Sequence, residues 1–401
     1  MGRSWTLLYL LLALLWTSQP LWAAEVATAE HDMQEENTGE SEEENSEEEK
    51  DGEKAKSGYR LLPIPIIISE PAIGKGLGVA LALFHPVKAG KSDDTRLASL
   101  TSVSDYSSQR KAPPVVTGVA GAYTSSKSWF GGIGHSNNWR NDSIRYAGAV
   151  AAAKVNSQIY VANFPVDFSM KAGIIYQDMK FRIKDSDFLL GAALSYLDAD
   201  NTFGFGLPDP SPDVLDNGRF ATDFNNVGLA GKILYETRDD TMNPRSGQII
   251  ELSLWRYDEA IGGDYDYWSA KFKALSFHSL TEKLTLGLRL DVSGVDGRVP
   301  FFAIPFVSLR GVPALRYQNK TAGAAEVELR YRIRPKWEAS VFGGVGFTSD
   351  AYPIFENPDS IYNFGVGGRY NIFEAHNVWV GLDIARGPED WNWYLQVGHP
   401  W

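Results

Sequence analysis

Long runs in which every second residue is apolar constrain this 401-residue chain more than any other feature. In "KLTLGLRLDV", Leu284, Leu286, Leu288 and Leu290 share one face, while Lys283, Thr285, Arg289 and Asp291 share the other. "EVELRYRIR" repeats the pattern, with Val327, Leu329, Tyr331 and Ile333 set against Glu326, Glu328, Arg330, Arg332 and Arg334. A period of two belongs to a β-strand, whose side chains point alternately to opposite faces. A soluble sandwich would turn the apolar face to a core and the charged face to water. A membrane barrel would turn the apolar face to lipid and line a lumen with the charged one. Periodicity alone serves both.

Three features favour the barrel. Sixteen runs of strand pattern can be marked: 62–69, 75–85, 113–123, 127–137, 143–154, 167–183, 186–197, 225–237, 246–258, 264–279, 281–293, 323–334, 335–348, 360–373, 376–386 and 391–400. Most exceed the ~5–6 residues of a globular strand and reach the ~9–11 residues of a membrane strand. Through the second half, long connections (198–224, 294–322 and 349–359) interleave with tight ones near Leu280, Pro335 and Ala375. Outer-membrane barrels show that asymmetry between extracellular loops and periplasmic turns. The connection 86–112 departs from it, falling by parity on the periplasmic side. Last, the chain ends "WNWYLQVGHPW", where alternation places Trp393, Leu395, Val397 and Trp401 on one face as a closing-strand signal. The expected fold is all-β: a transmembrane antiparallel β-barrel of sixteen strands.

The beginning of the chain reads differently. Arg3 precedes "WTLLYLLLALLW", an apolar stretch short for a membrane span, and "LWAAE" offers small residues for cleavage after Ala23. Residues 1–23 are expected to be a signal peptide. Residues 25–54 hold fourteen acidic and two basic side chains, a net of −12. So charged a stretch has little to bury and repels itself, so 24–58 is expected to be a disordered acidic linker before a barrel over 59–401. With +1 from Arg3, that −12 leaves only −1 for residues 55–401 out of the chain's total of −12. The body is electrically balanced, and its charge suggests no nucleic-acid partner. The absence of cysteine excludes disulfides and thiolate metal sites. No cofactor is expected: the six histidines show no metal spacing, and "GKGLG" at 74–78 opens a strand without the spacing of a phosphate loop. "GVGG" at 365–368 reads as small residues easing strand curvature. His135, Ser136 and Asn137 could suggest a lipase-type site, but adjacent strand residues alternate faces and do not converge.

Several motifs resemble the bacterial surface-antigen superfamily, the BamA/TamA-like outer-membrane barrels. They are "YETRDDTMNPRSG" (Tyr235 to Gly247), "SLRGV" (Ser308 to Val312), "FGVGGRY" and "VGLDIARGPEDWNWYLQVG", in that order along 60–401. Only the acidic segment separates the expected signal peptide from the first strand, so the chain is similar to a short branch lacking POTRA modules. The resemblance implies an outer-membrane barrel, not an enzyme, forming a loop-plugged or narrow pore with a role in transport or outer-membrane assembly. The alternatives are a general diffusion porin and, behind it, an outer-membrane enzyme acting on lipid. Expected partners are outer-membrane lipid, lipopolysaccharide and, through the C-terminal strand, the barrel-assembly machinery; nothing fixes the oligomeric state.

The resemblance also implies that the loop around Arg310 and Gly311 folds back into the lumen. A guanidinium there needs fixed carboxylates. Where many relatives place an aspartate this chain has Gly344, so Glu326 and Glu328, inward by alternation on the following strand, are the candidate partners. Pro63 and Pro65 are two apart in the first strand and lack N–H donors toward one edge, and Pro400 lacks one near the end of the last. Either these prolines lie in the lead-in or face the second strand, or they leave a weak seam between first and last strands.

Overall fold

The structure, a computed structural model, describes residues 58–70, 74–86, 112–161, 164–204, 219–312, 316–349, 361–374, 377–399 and 401. The expected signal peptide, nearly all of the acidic linker, and Pro400 lie outside the described residues. The first four strands are β1 (Arg60–Glu70), β2 (Gly74–Phe84), β3 (Val116–Thr124) and β4 (Trp129–Trp139). Four long ones follow: β5 (Ile144–Val161), β6 (Phe164–Arg182), β7 (Phe188–Gly204) and β8 (Arg219–Glu236). Then come β9 (Gly247–Tyr257), β10 (Tyr267–Ser279), β11 (Leu284–Gly297) and β12 (Thr321–Arg334). The last are β13 (Trp337–Thr348), β14 (Ile361–Phe373), β15 (Val378–Arg386) and β16 (Trp391–Val397). All sixteen form one antiparallel sheet in chain order. Among the described residues no helix is long and apolar enough to cross a membrane.

The alternation sorts the side chains into two environments. Leu77, Ile133, Val150, Leu252, Val345 and Val366 are exposed on the outer face. Strand residues of the opposite parity are buried inside, among them Asp178, Lys232, Glu251, Glu326, Glu328 and Asp383. Apolar outside and charged inside is the polarity of a membrane barrel. The sheet curls on itself: the rings of Phe84 on β2 and Phe373 on β14 meet at 6.1 Å, and Leu62 and Ile64 of β1 share an apolar cluster with Val378 and Val397.

Strands β5 to β8 correct the boundaries read from the sequence. The gap expected over 155–166 is almost all strand, and the connection expected over 198–224 shrinks to 205–218. At this end the polarity of the faces reverses. Lys171, Asp198, Asp200 and Asp223 are exposed outside, while Phe168, Met170, Leu197 and Phe224 are buried inside. These ends stand clear of lipid, so water takes the outer face and the apolar residues pack inward against Phe302 of the β11–β12 loop.

The edge of β1 can be assigned from hydrogen bonds of its neighbour. The N–H of His85 donates to the carbonyl of Val115, and the N–H of Ser125 donates to the carbonyl of Lys75. Odd-numbered residues of β2 therefore direct their backbone groups to β3. Pro63 pairs with Leu81 and Pro65 with Val79, both odd positions. These are non-hydrogen-bonded pairs, so the nitrogens of Pro63 and Pro65 point away from β2 to the free edge. Among the described residues, no ladder joins that edge to β16.

Candidate functional site

The β11–β12 loop, 298–320, is a folded arm. Val307 N–H donates to Tyr317 O at 3.0 Å and Asn319 N–H to Pro305 O at 3.0 Å, which makes the loop a hairpin of its own. Val307, Leu309, Val312 and Tyr317 pack on Ala322, Ala324 and Ile361, so the arm is seated by apolar contact on the lumen side of β12 and β14. At its tip Gly311 has φ of +86°, and a Cβ there would come 2.8 Å from the backbone nitrogen of Gly387. Only glycine on both sides lets the loop and the β15–β16 turn touch backbone to backbone. Gly311 N–H donates to the Tyr394 hydroxyl at 2.6 Å, and Asn392 Nδ2 donates to Gly311 O at 3.2 Å.

This seating carries Arg310 into the barrel wall, where it is 7% exposed. Its Nε donates to Glu326 Oε1 at 2.9 Å. Its Nη1 donates to Glu328 Oε2 at 2.9 Å and to Asp383 Oδ2 at 2.6 Å. Its Nη2 lies 2.7 Å from Glu326 Oε1, off line for a hydrogen bond, and adds Coulomb attraction only. The guanidinium plane lies over Phe342, 3.4 Å from the ring centroid. Burial by itself would lower the pKa of Arg310, but Glu328, Glu326 and Asp383 outweigh it and raise the value.

Cross-strand register explains why these groups converge. Glu326 opposes Gly344 and Glu328 opposes Phe342 across β12 and β13. Asp383 on β15 opposes Gly367 on β14, where a Cβ would collide with the carboxylate. Within "GVGG", Gly367 thus makes room for Asp383, a role beyond easing curvature. The three carboxylates meet more than one cation: Arg369 reaches Glu328 at 3.3 Å and Asp383 at 3.6 Å. Arg289 reaches Glu326 at 3.3 Å. Arg330 lies 3.6 Å from Glu328 and bonds Asn243 and the carbonyl of Pro244. Through Arg330 the site holds the β8–β9 turn, whose Met242 and Asn243 are buried under the lumen.

Alternation places Glu326 and Glu328 in the lumen, and the structure gathers them with Arg310. Asp383, Arg369, Asn363 and Tyr394 belong to the same cluster and were not among the residues singled out in the sequence. Asp383 carried a signal: it is the lone charge on the small face of "VGLDIAR", opposite Leu382 and Ile384. Trp401 differs from the sequence pattern. Strand β16 stops at Val397, and Gly398, with φ of +82°, turns the chain inward. Trp401 is 3% exposed and packs among Leu189, Leu234, Leu275 and Phe277, with its indole N–H donating to Glu326 Oε2 at 2.9 Å. Trp393, Leu395 and Val397 share one parity; Val397 is buried in the cluster that holds Leu62 and Ile64 of β1, and Leu395 packs against it. The backbone is no longer extended at Gly398, so counting alternate residues through it puts Trp401 on the wrong face.

Comparison with solved structures places the fold. The chain is similar to BamA from Haemophilus ducreyi lacking POTRA domains 1–3, with a TM-score of 0.52 at 10% identity, over 85% of this chain and 70% of that one. It is similar to CdiB from Escherichia coli, with a TM-score of 0.51 at 10% identity, over 84% of this chain and 62% of that one. CdiB from Acinetobacter baumannii gives 0.48 at 10% identity, over 86% and 60%. The chain thus spans less than two thirds of either CdiB. No curated protein sequence matches it. The Omp85 superfamily domain matches residues 76–303, more than half of the chain and nine of its sixteen strands in full. On that match, with the sixteen-stranded fold, this outer-membrane β-barrel belongs to the Omp85 superfamily.

Proposed function

We propose that this barrel is closed along its axis and works at its β1–β16 seam, in transport to or assembly of the outer membrane. The observation that carries the reading is the lumen arm held by Arg310 on Glu326, Glu328 and Asp383. A diffusion porin needs a water-filled path whose filter is made by charged lumen residues. Here those charges are spent on one another and on the arm. The β8–β9 turn and the inturned Trp401 fill the other end of the same lumen. The seam supplies the complementary feature, since its β1 edge lacks two successive donors at Pro63 and Pro65.

BamA-like barrels work in outer-membrane assembly, and machinery partners, outer-membrane lipid and lipopolysaccharide fit this reading. So does a lack of enzymatic activity: His135 and Ser136 face opposite sides of β4, as a catalytic pair would not. Planar-bilayer recording, with a strain deleted for the protein, tests the proposal. A plugged barrel gives small, brief currents, and the deletion changes outer-membrane protein levels. Steady open conductance, with a deletion that changes small-solute permeability alone, would establish the porin instead.

A further inference from the structure

The two ends of the sheet do not meet edge to edge; they overlap. On β2 the exposed Leu77 and Val79 face lipid, so Ala82 and Phe84 face inward, and register puts Leu62 and Ile64 of β1 on the same inner face. On β15 the exposed Leu382 and Ile384 face lipid, while the buried Asp383 faces the lumen. Val380 and its partner Val397 therefore carry the outer parity, as do Val378 and its partner Phe373 across the bulge that ends β14. Yet Val378 is 0% and Val397 6% exposed, against 46% for Leu382 and 44% for Ile384 farther along the same face. The inner face of the first two strands covers them. Leu62, Ile64 and Phe84 share one apolar cluster with Val378 and Val397, and Phe373 and Val380 pack against it. The rings of Phe84 and Phe373 meet edge to face. Inner face against outer face puts β1 and β2 outside β14 to β16, over the end that bears the short turns. Outer-membrane barrels direct that end to the periplasm.

Such an overlap parts differently from a ladder. Among the described residues no ladder joins β1 to β16, so what the layers give up on separating is apolar contact. In a bilayer that contact is not driven by water, and acyl chains, as apolar as the side chains, replace it at little cost. An extended polypeptide is a poorer occupant. Its backbone needs a hydrogen-bonding edge in lipid, and the β1 edge lacks the donors of Pro63 and Pro65. A charge stands at the mouth. Arg60 opposes Phe84 in register, which places it on the inner face one step before Leu62, and it is exposed at the start of β1. A cation at headgroup depth that leads into an apolar slot matches an anionic lipid, phosphate at the mouth and chain between the layers.

We propose that this overlap is a lipid slot, in which an acyl chain of an anionic phospholipid from the periplasmic leaflet enters between β1–β2 and β14–β16 with its phosphate at Arg60. The inference rests on the reading that the barrel works at its seam, and it names lipid rather than polypeptide as what enters there. Photolabelling of the folded full chain tests it, in phosphatidylethanolamine vesicles that hold a minor fraction of phosphatidylglycerol or phosphatidylcholine with a diazirine in mid-chain. Mass mapping of wild type should find label on Val378 and Phe84, which the closed overlap hides, as well as on the lipid-facing Leu252 and Val345. Oxidising a Leu62→Cys/Val397→Cys pair should abolish label in the overlap and leave Leu252 and Val345 labelled as before. Arg60→Ala should lower overlap label from phosphatidylglycerol roughly fivefold, as expected for about one charge at a membrane surface, and change that from phosphatidylcholine much less. Wild-type label confined to the outer belt, overlap label that survives oxidation, or a pair that does not cross-link in the folded barrel would each overturn the slot. Unchanged label in Arg60→Ala would overturn the anionic preference. An unlabelled overlap in a protein whose locked form fails to complement the deletion strain would overturn the lipid and leave the seam reading standing. A labelled overlap in a protein that complements when locked would do the reverse.

Discussion

Arg310 is the residue on which the lumen arm turns, because two nitrogens of its planar fork, Nε and Nη1, serve three carboxylates. Removing it takes away the one cation that Glu326, Glu328 and Asp383 share, and breaking a buried pair in this way costs about 3–5 kcal/mol. Arg310→Ala is therefore expected to lose stability of that order in urea unfolding, and to show steady conductance and a protease-sensitive loop. Arg310→Lys keeps the charge but not the fork, and should fall between the two. An alanine variant matching wild type in all three measurements would mean that Val307, Leu309 and Val312 hold the arm unaided. Trp401 gives a second test from the opposite side. Truncating a buried tryptophan costs about 3–5 kcal/mol, so Trp401→Ala should be nearly as destabilised as Arg310→Ala. If Trp401 faced lipid at the end of a strand, its loss would leave stability nearly unchanged. The two glutamates were legible because they lie two apart in an unbroken run. Asp383 was not, since nothing in sequence ties it to a loop 73 residues away. Trp401 was misplaced by a single backbone torsion at Gly398.

At the scale of the strand, the alternation identified all sixteen elements and failed where the solvent changes. In β5 to β8 the same period of two runs on past the bilayer, but outer positions become charged and inner ones apolar. A reading keyed to apolar-outside loses the strand at the point of reversal. This is why β6 starts at Phe164 where the pattern suggested 167, and β7 runs to Gly204 where it suggested 197. The reversal places the membrane boundary between Ile175 and Lys171 on β6. Ile175→Arg, just inside that boundary, should then cost more than the about 0–1 kcal/mol of a cation at the interface and less than the about 2–4 kcal/mol of one at mid-bilayer. Asp200→Arg, the partner of Lys171 across β7, should stay within about 0.5 kcal/mol, as exposed surface changes do. Equal penalties at the two sites would mean that the long ends are embedded in lipid.

For the molecule as a whole, the unusual property is a barrel whose sheet runs from β1 to β16 without a described ladder between them. An open edge in lipid leaves backbone groups unsatisfied, so closure must come from elsewhere. Part of it is apolar packing: Leu62, Ile64 and Ile66 lie in one cluster with Val378 and Val397. The prolines then act as a limit on closure. With their nitrogens aimed at the seam, β1 cannot complete the pairs that β16 would need, even if β16 slid into register. Restoring donors by Pro63→Ala and Pro65→Ala should strengthen the seam, and a disulfide should lock it. The chain has no cysteine, so single pairs introduced at Leu62 or Ile64 and at Leu395 or Val397 give an unambiguous cross-link. If function resides at the seam, the oxidised pair should fail to complement the deletion strain. Reduction should restore it, and conductance through the plugged lumen should stay low in both states. A locked protein that complements fully would remove the seam from the mechanism and leave the lumen arm as the moving part. A cross-link that forms in neither pair would place β16 away from β1 and overturn closure by packing.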